Sequence, residues 1–312
     1  MNDEEHLWER RIITRLAQAS LKEQMRARRW GIFFKFLVFA YITFVLFMFA
    51  KPDFSGASIA SRHTALIDLN GLIADNEIAS ADNIISSLRS AFEDSKTAGV
   101  ILRINSPGGT PVQAGYIYDE IVRLRKLYPD IPLYAVITDM CASGGYYVAS
   151  AADKIFADKA SIVGSIGVRM DNFGFVGTID KLGIERRTLT SGENKALMDP
   201  FLPVDKNQQK HLQTLLDNIH QQFIDAVKKG RGDRLKDDSQ LFSGLIWSGE
   251  ESLELGLVDA LGSSSYVARD VIGAEDIVEY TLTENLFDRL AGRIGASMVH
   301  MLGDKYLLPK LN

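Results

Sequence analysis

From Trp30 to Ala50 the chain reads WGIFFKFLVFAYITFVLFMFA, 21 residues in which Lys35 is the one charge. A helix of about 20 apolar residues matches the roughly 30 Å hydrocarbon core of a bilayer, and a lysine near its end can extend its ammonium to the headgroups. The stretch predicts one membrane-spanning helix over 30–50. Arg26, Arg28, Arg29 and Lys35 crowd its N-terminal end, so the positive-inside rule puts residues 1–29 in the cytoplasm and everything after the span outside it. A cleaved signal peptide has a shorter apolar region, about 7 to 15 residues, closed by a small-x-small site. Ala57 to Ala60 (ASIA) comes too late for that, which favours an uncleaved anchor. Before the span, Leu7, Ile12 and Leu16 alternate with Arg10, Arg11 and Arg15, a pattern equally suited to a helix on the leaflet surface and to a solvated one.

The rest is a globular chain. Of 312 residues 46% are apolar and 24% charged, enough for one large domain or two small ones. The net charge of -5 is uneven: residues 1–50 hold eight Lys/Arg against five Asp/Glu, leaving 27 against 35 beyond them. A mildly acidic body argues against nucleic acid as a partner. One cysteine excludes an internal disulfide. Residues 51–63, KPDFSGASIASRH, are small and polar and read as a linker.

Beyond the linker, strand and helix patterns alternate. TALIDLNG, GVILRI, LYAVIT, KIFAD and IVGSIGV read as strands, and NIISSLRSAFED, PVQAGYIYDEIVRLRKL and YYVASAA as helices. A longer helix follows, with Leu212, Leu216, Ile219, Phe223 and Val227 on one face, and then a small final α/β portion. The order predicts an α/β, βαβ fold with a mostly parallel sheet. In such sheets ligands meet the loops at the carboxyl ends of strands. Two of those loops are glycine-rich, NSPGG after GVILRI and CASGG after LYAVIT, and glycines let backbone N–H groups approach a ligand closely. As a pair they suit an oxyanion, which needs two donors from separate segments; singly, each also fits a tight structural turn.

The second loop carries a thiol, Cys141, and a hydroxyl, Ser143. A serine nucleophile needs a base within hydrogen-bond reach. His6 precedes the span, His63 is in the linker, His300 falls in a C-terminal amphipathic stretch, and His211 and His220 lie on opposite sides of the long helix; all five read as surface histidines. No His/Cys/Asp cluster has metal-ligand spacing, so no metal or other cofactor is expected. A lysine held neutral can replace histidine if its surroundings lower its pKa to about 7 or 8. Lys195 in TLTSGENKALMDPF, after the strand-like RRTLT, is positioned for that role; the residues alone leave it open between a base and a surface lysine.

NSPGG, DMCASGGYYVASAADKIFA, GSIGV, TSGENK and WSGEESLELGLVDALG, in that order between about Ala65 and Gly262, strongly resemble the signal peptide peptidase A family in its short single-domain form, with the SohB-type peptidases the nearest subgroup. The resemblance implies a fold related to Clp protease and crotonase enzymes, with the peptidase domain over 64–283. It makes Ser143 the nucleophile, Lys195 the general base and Ser165 a hydroxyl that orients the lysine. The backbone N–H groups of Gly109 and Gly144 become the oxyanion hole. Cys141 then packs beneath the turn, and Asp153 and Lys154 are structural residues at the start of a strand. It further implies a homo-oligomeric dome in which Lys195 of one subunit reaches Ser143 of its neighbour. The expected protein is a single-pass inner-membrane endopeptidase, its catalytic domain extracytoplasmic, acting on peptides such as remnant signal peptides and touching lipid through its anchor. A crotonase-type acyl-CoA enzyme and a catalytically inactive membrane scaffold are the alternatives. The segment 284–312, with Phe287, Leu290, Ile294, Met298 and Met301 on one face, would cover a neighbouring subunit, the membrane or the domain's own core.

Overall fold

A computed structural model describes residues 3–49 and 61–282 of the chain. It divides into two units, residues 1–60 and 61–312. The described part of the first is a single helix, α1 (Asp3–Phe49). Within it Phe33, Phe34, Phe36, Leu37, Val38 and Phe39 are all exposed, so successive residues place large apolar side chains on every side of the helix. Among the described residues no helix is long and apolar enough to cross a membrane. The expected span runs to Ala50, which lies outside the described residues, as do most of the linker and the amphipathic segment 284–312.

The second unit follows the expected alternation: β1 (His63–Asn70), α2 (Ala81–Glu93), β2 (Thr97–Ser106), α3 (Pro111–Leu127), β3 (Leu133–Ala142), α4 (Gly144–Ala149), β4 (Lys154–Ala157) and β5 (Ile162–Gly164). Then come α5 (Val176–Lys181), α6 (Lys206–Arg231), β6 (Ile246–Ser248), α7 (Gly249–Glu254), β7 (Ala260–Leu261) and β8 (Ile277–Glu279). The strands form one sheet in the order β6-β5-β3-β2-β1-β8. Only β5 with β6 is antiparallel among the described pairs. β3 is long enough to take two neighbours on one edge: Tyr134–Ile137 pair with β4, and Met140–Ala142 pair with β5.

The central strands are apolar runs because both their faces are covered. Ile67, Leu69, Leu102, Ile104, Ala135 and Ile137 face a core closed by α2, α3, α4 and the C-terminal turns of α6. Leu66, Ile101, Val136 and Phe156 face a smaller cluster under the turn at 267–272. Pro111 occupies the first turn of α3, where a missing N–H costs nothing. Near the C-terminal end of α6 the buried Arg231 donates to both carboxylate oxygens of Asp259, at 2.7 and 3.1 Å, and to the Gly256 carbonyl, so the charge taken out of water is paired.

Three expectations change here. His63 begins β1 rather than ending a linker; its ring is buried, with Nε2 3.0 Å from the Tyr280 hydroxyl. RRTLT, residues 186–190, forms no strand: residues 184–190 are irregular and exposed, with Leu189 fully so, and no described strand pairs with them. The apolar face of α6 is buried only toward its end, at Phe223, Ala226 and Val227, whereas Leu212, Leu216 and Ile219 remain half-buried.

Candidate active site

Ser143 is the one residue between the last residue of β3 and the first of α4. Its backbone sits at φ 51° and ψ -123°, a conformation that a side-chain-bearing residue adopts only when its surroundings impose it, at a cost on the order of 1–3 kcal/mol. Two bonds impose it: the Ser143 N–H donates to the Gly164 carbonyl at 2.9 Å, and the Tyr147 N–H donates to the Ser143 carbonyl at 2.9 Å. The turn thereby lifts the hydroxyl out of the sheet, and Ser143 stays half-buried while Gly144 and Gly145 behind it are buried. Cys141, two residues earlier, is fully buried in the core, and burial pushes its thiol far above the ordinary range. It is therefore packing, as expected, and not a nucleophile.

The facing loop, Pro107 to Thr110, follows β2 and is organised by a buried serine. Ser106 Oγ donates to the Gly71 carbonyl at 2.6 Å and accepts the Gly108 N–H at 3.1 Å. Gly109 makes a parallel bridge with Ile73 in which the Ile73 N–H donates to the Gly108 carbonyl and the Thr110 N–H to the Ile73 carbonyl, both at 2.8 Å. That pattern turns the N–H of Gly109 itself away from Ile73. A Cβ on Gly109 would stand 1.9 Å from the Ile73 carbonyl oxygen, so only glycine fits. Gly144 is the first residue of α4, and its N–H has no acceptor within the helix. The two loops touch: a Cβ on Gly144 would lie 3.1 Å from the Gly109 nitrogen. Two backbone N–H groups on separate segments thus lie close to each other beside the serine, and an oxyanion needs two such donors.

Ser143, Gly109, Gly144 and Ser165 line one cavity of about 600 Å³. Ser165 follows β5 and, like Ser143, has a positive φ, 52°, with its N–H donating to the Leu245 carbonyl at 2.7 Å. The cavity's other walls include Tyr147, Val168, Ile219 and Phe223 together with the polar Arg169 and Gln222, a mixed lining. The Tyr147 and Phe223 rings pack at 5.0 Å. Of the expected site residues only Lys195 is not among those lining this cavity. It stands exposed on a turn, its N–H bonded to the Gly192 carbonyl at 3.1 Å, and has no acidic partner among the described residues. A single copy of the chain therefore holds the serine and its donors together and leaves the lysine elsewhere. Asp153 is structural, as expected: it pairs with Arg125 and accepts the Leu133 N–H at 2.9 Å.

The sequence reading missed Ser106, whose buried hydroxyl ties the glycine loop down; it lies within the NSPGG stretch, and the signal was a small polar residue at the end of an apolar strand. It also missed His220, which is half-buried rather than a surface residue.

Residues 125–275 match Peptidase family S49. A putative signal peptide peptidase SppA of Enterococcus faecium is 32% identical over 237 residues, which cover 73% of this chain and 68% of that protein. The chain belongs to the signal peptide peptidase A family. Protease 4 of Haemophilus influenzae is 34% identical over 203 residues, 64% of this chain and 32% of that protein. A Na(+)/H(+) antiporter NhaA of Brucella abortus is 44% identical over 186 residues, covering 60% of this chain and a quarter (25%) of the antiporter. The chain thus spans a minor part of some relatives and about two thirds of others.

Proposed function

We propose that the chain is a membrane-anchored serine endopeptidase in which Ser143 is the nucleophile and Lys195, supplied by a neighbouring copy, is the general base. The observation that carries this reading is the placement of Ser143, in a strained turn, beside the free N–H groups of Gly109 and Gly144. In the first step the neutral amine of Lys195 takes the Ser143 proton as Oγ attacks the peptide carbonyl, and the two N–H groups bind the resulting oxyanion. Ser165 orients the lysine. Collapse of the tetrahedral intermediate expels the amine half of the peptide, which recovers the proton from Lys195. Water, activated by the same lysine, then releases the acyl half. Each oxyanion donor accounts for about 3 kcal/mol of the barrier.

The fold under this reading is the Clp protease/crotonase type, and the assembly is a homo-oligomer. Exposed apolar residues on the lysine-bearing arm, Phe173, Leu182, Ile184 and Leu189, support a covering neighbour. The all-round apolar stretch of α1 supports a single-pass anchor with the N-terminus cytoplasmic and the catalytic domain outside. Substrates are then peptides left in or near the membrane, remnant signal peptides among them, in keeping with the name of the Enterococcus relative. Sodium–proton exchange is no part of the reading, since the chain matches only a quarter of the antiporter.

A serine-directed fluorophosphonate tests it. The detergent-solubilised full chain should be labelled at Ser143, and Ser143→Ala should take no label. Absence of modification at Ser143 in assembled wild-type protein would overturn the proposal in favour of an acyl-CoA enzyme or an inactive scaffold.

A further inference from the structure

His220 lies on α6 between two residues, Ile219 and Phe223, that line the Ser143 cavity. Its Nε2 is 3.2 Å from the backbone carbonyl oxygen of Ile166, the fully buried residue that immediately follows Ser165. A carbonyl oxygen only accepts, so Nε2 carries a hydrogen in this contact, whichever state Nδ1 is in. That nitrogen is a donor already in use and is not free to take a proton from Ser143. What it does instead is latch α6 to the loop that carries Ser165.

The loop has reason to need a latch. Ser165 has a positive φ of 52°, a conformation that a residue with a side chain keeps only where neighbouring groups hold it, and it follows Gly164 at 111°, which glycine adopts freely. On one side Ser165 donates to the Leu245 carbonyl, and the Gly164 carbonyl accepts the N–H of Ser143. His220 supplies the hold from the α6 side. Through this one loop the helix that walls the cavity is joined to Ser165 and, by way of Gly164, to the backbone of the nucleophile.

We infer that His220 is a positioning residue: its Nε2–H fixes the Gly164–Val168 loop, and through it Ser165 and the Ser143 turn, without exchanging a proton in the reaction. This rests on the peptidase reading above. Three forms of the full chain in detergent test it: wild type, His220→Gln, whose side-chain amide places an N–H near the Nε2 position, and His220→Leu, which removes the donor. The loss of one such bond predicts that His220→Leu lowers kcat and the rate of fluorophosphonate labelling by about tenfold, with KM within about twofold, while His220→Gln stays within about threefold of wild type. Both variants should keep the shape of the wild-type pH–rate profile.

Amide hydrogen exchange in residues 164–168, a readout independent of turnover, should quicken in His220→Leu and not in His220→Gln. If His220→Leu fails to fold, His220→Asn replaces it, because its amide is too short to reach the Ile166 carbonyl. The inference is overturned if the donor-less variant matches wild type in labelling and exchange, if the glutamine variant is equally impaired, or if either variant loses a limb of the pH profile. Wild-type protein that neither cleaves nor takes label breaks the peptidase reading instead, and the exchange comparison still decides whether the latch exists.

Discussion

Ser143 and Lys195 are 52 positions apart in the chain and stand in two different kinds of structure. The serine half is built by the sheet: three loops following β2, β3 and β5 meet, and their strained residues are held by backbone bonds of 2.7 to 2.9 Å. Around it lie fully buried residues such as Cys141, Tyr146 and Ile166. The lysine half is an arm, residues 168–205, whose one short helix, α5, buries none of its residues and whose Phe173 and Leu189 face outward. The conformation of Ser143 is costly, and the packed sheet end supplies the bonds that hold it. A lysine that works as a neutral amine must lose contact with water, which an exposed arm achieves only when something covers it. Under the proposed mechanism, the two halves divide the site between what one chain completes and what an assembly would have to finish.

Substitutions on either side sharpen the contrast. Lys195→Ala should lower peptide turnover by at least about a thousandfold, yet leave the thermal midpoint of a single chain nearly unmoved, because an exposed side chain contributes within about 0.5 kcal/mol. A large drop in midpoint would mean that the arm is packed in a way the contrast denies. Gly109→Ala should harm both properties. Its methyl group would press on the Ile73 backbone, displacing an oxyanion donor at a cost of about 10²–10³ in kcat and destabilising the domain by about 1–3 kcal/mol. Unchanged denaturant midpoint and kcat in this variant would break the account of the serine half.

The smallest effect concerns acid. Hydrogen bonds from Arg123, and then from Arg89, hold the Glu120 carboxyl at about 2, below its ordinary 4.5. A depressed folded-state pKa adds stability that is present in full above 4.5 and disappears as the pH falls toward 2. Unfolding of Glu120→Gln followed against pH should therefore show a smaller loss of stability between pH 4.5 and 2 than wild type, while the difference between the two is largest at neutral pH. Parallel curves would show that the ion-paired surface of α2 and α3 adds nothing to the scaffold.

The same contrast explains what the sequence could reveal. GVILRI and LYAVIT are legible as strands because a central parallel strand is apolar on both faces, and Pro111 marks where α3 starts. The paired glycine loops are legible because their need for close backbone approach is local, and Gly109 meets it against Ile73. RRTLT misleads for the opposite reason: alternating threonines suit a strand, but a strand also needs a partner, and no described one stands beside it. The face of α6 from Leu212 to Ile219 has the period of a buried helix and is only partly covered in one chain. His220 looked like a surface residue because its acceptor is a backbone carbonyl 54 positions away, which no local pattern encodes.

The central claim, a serine activated by a lysine from another copy, is tested most directly by mixing inactive chains. Ser143→Ala and Lys195→Ala proteins, each without turnover alone, should regain peptide cleavage when co-assembled, because some interfaces then pair an intact serine with an intact lysine. Verified mixed oligomers with no recovered cleavage would contradict a site shared between subunits.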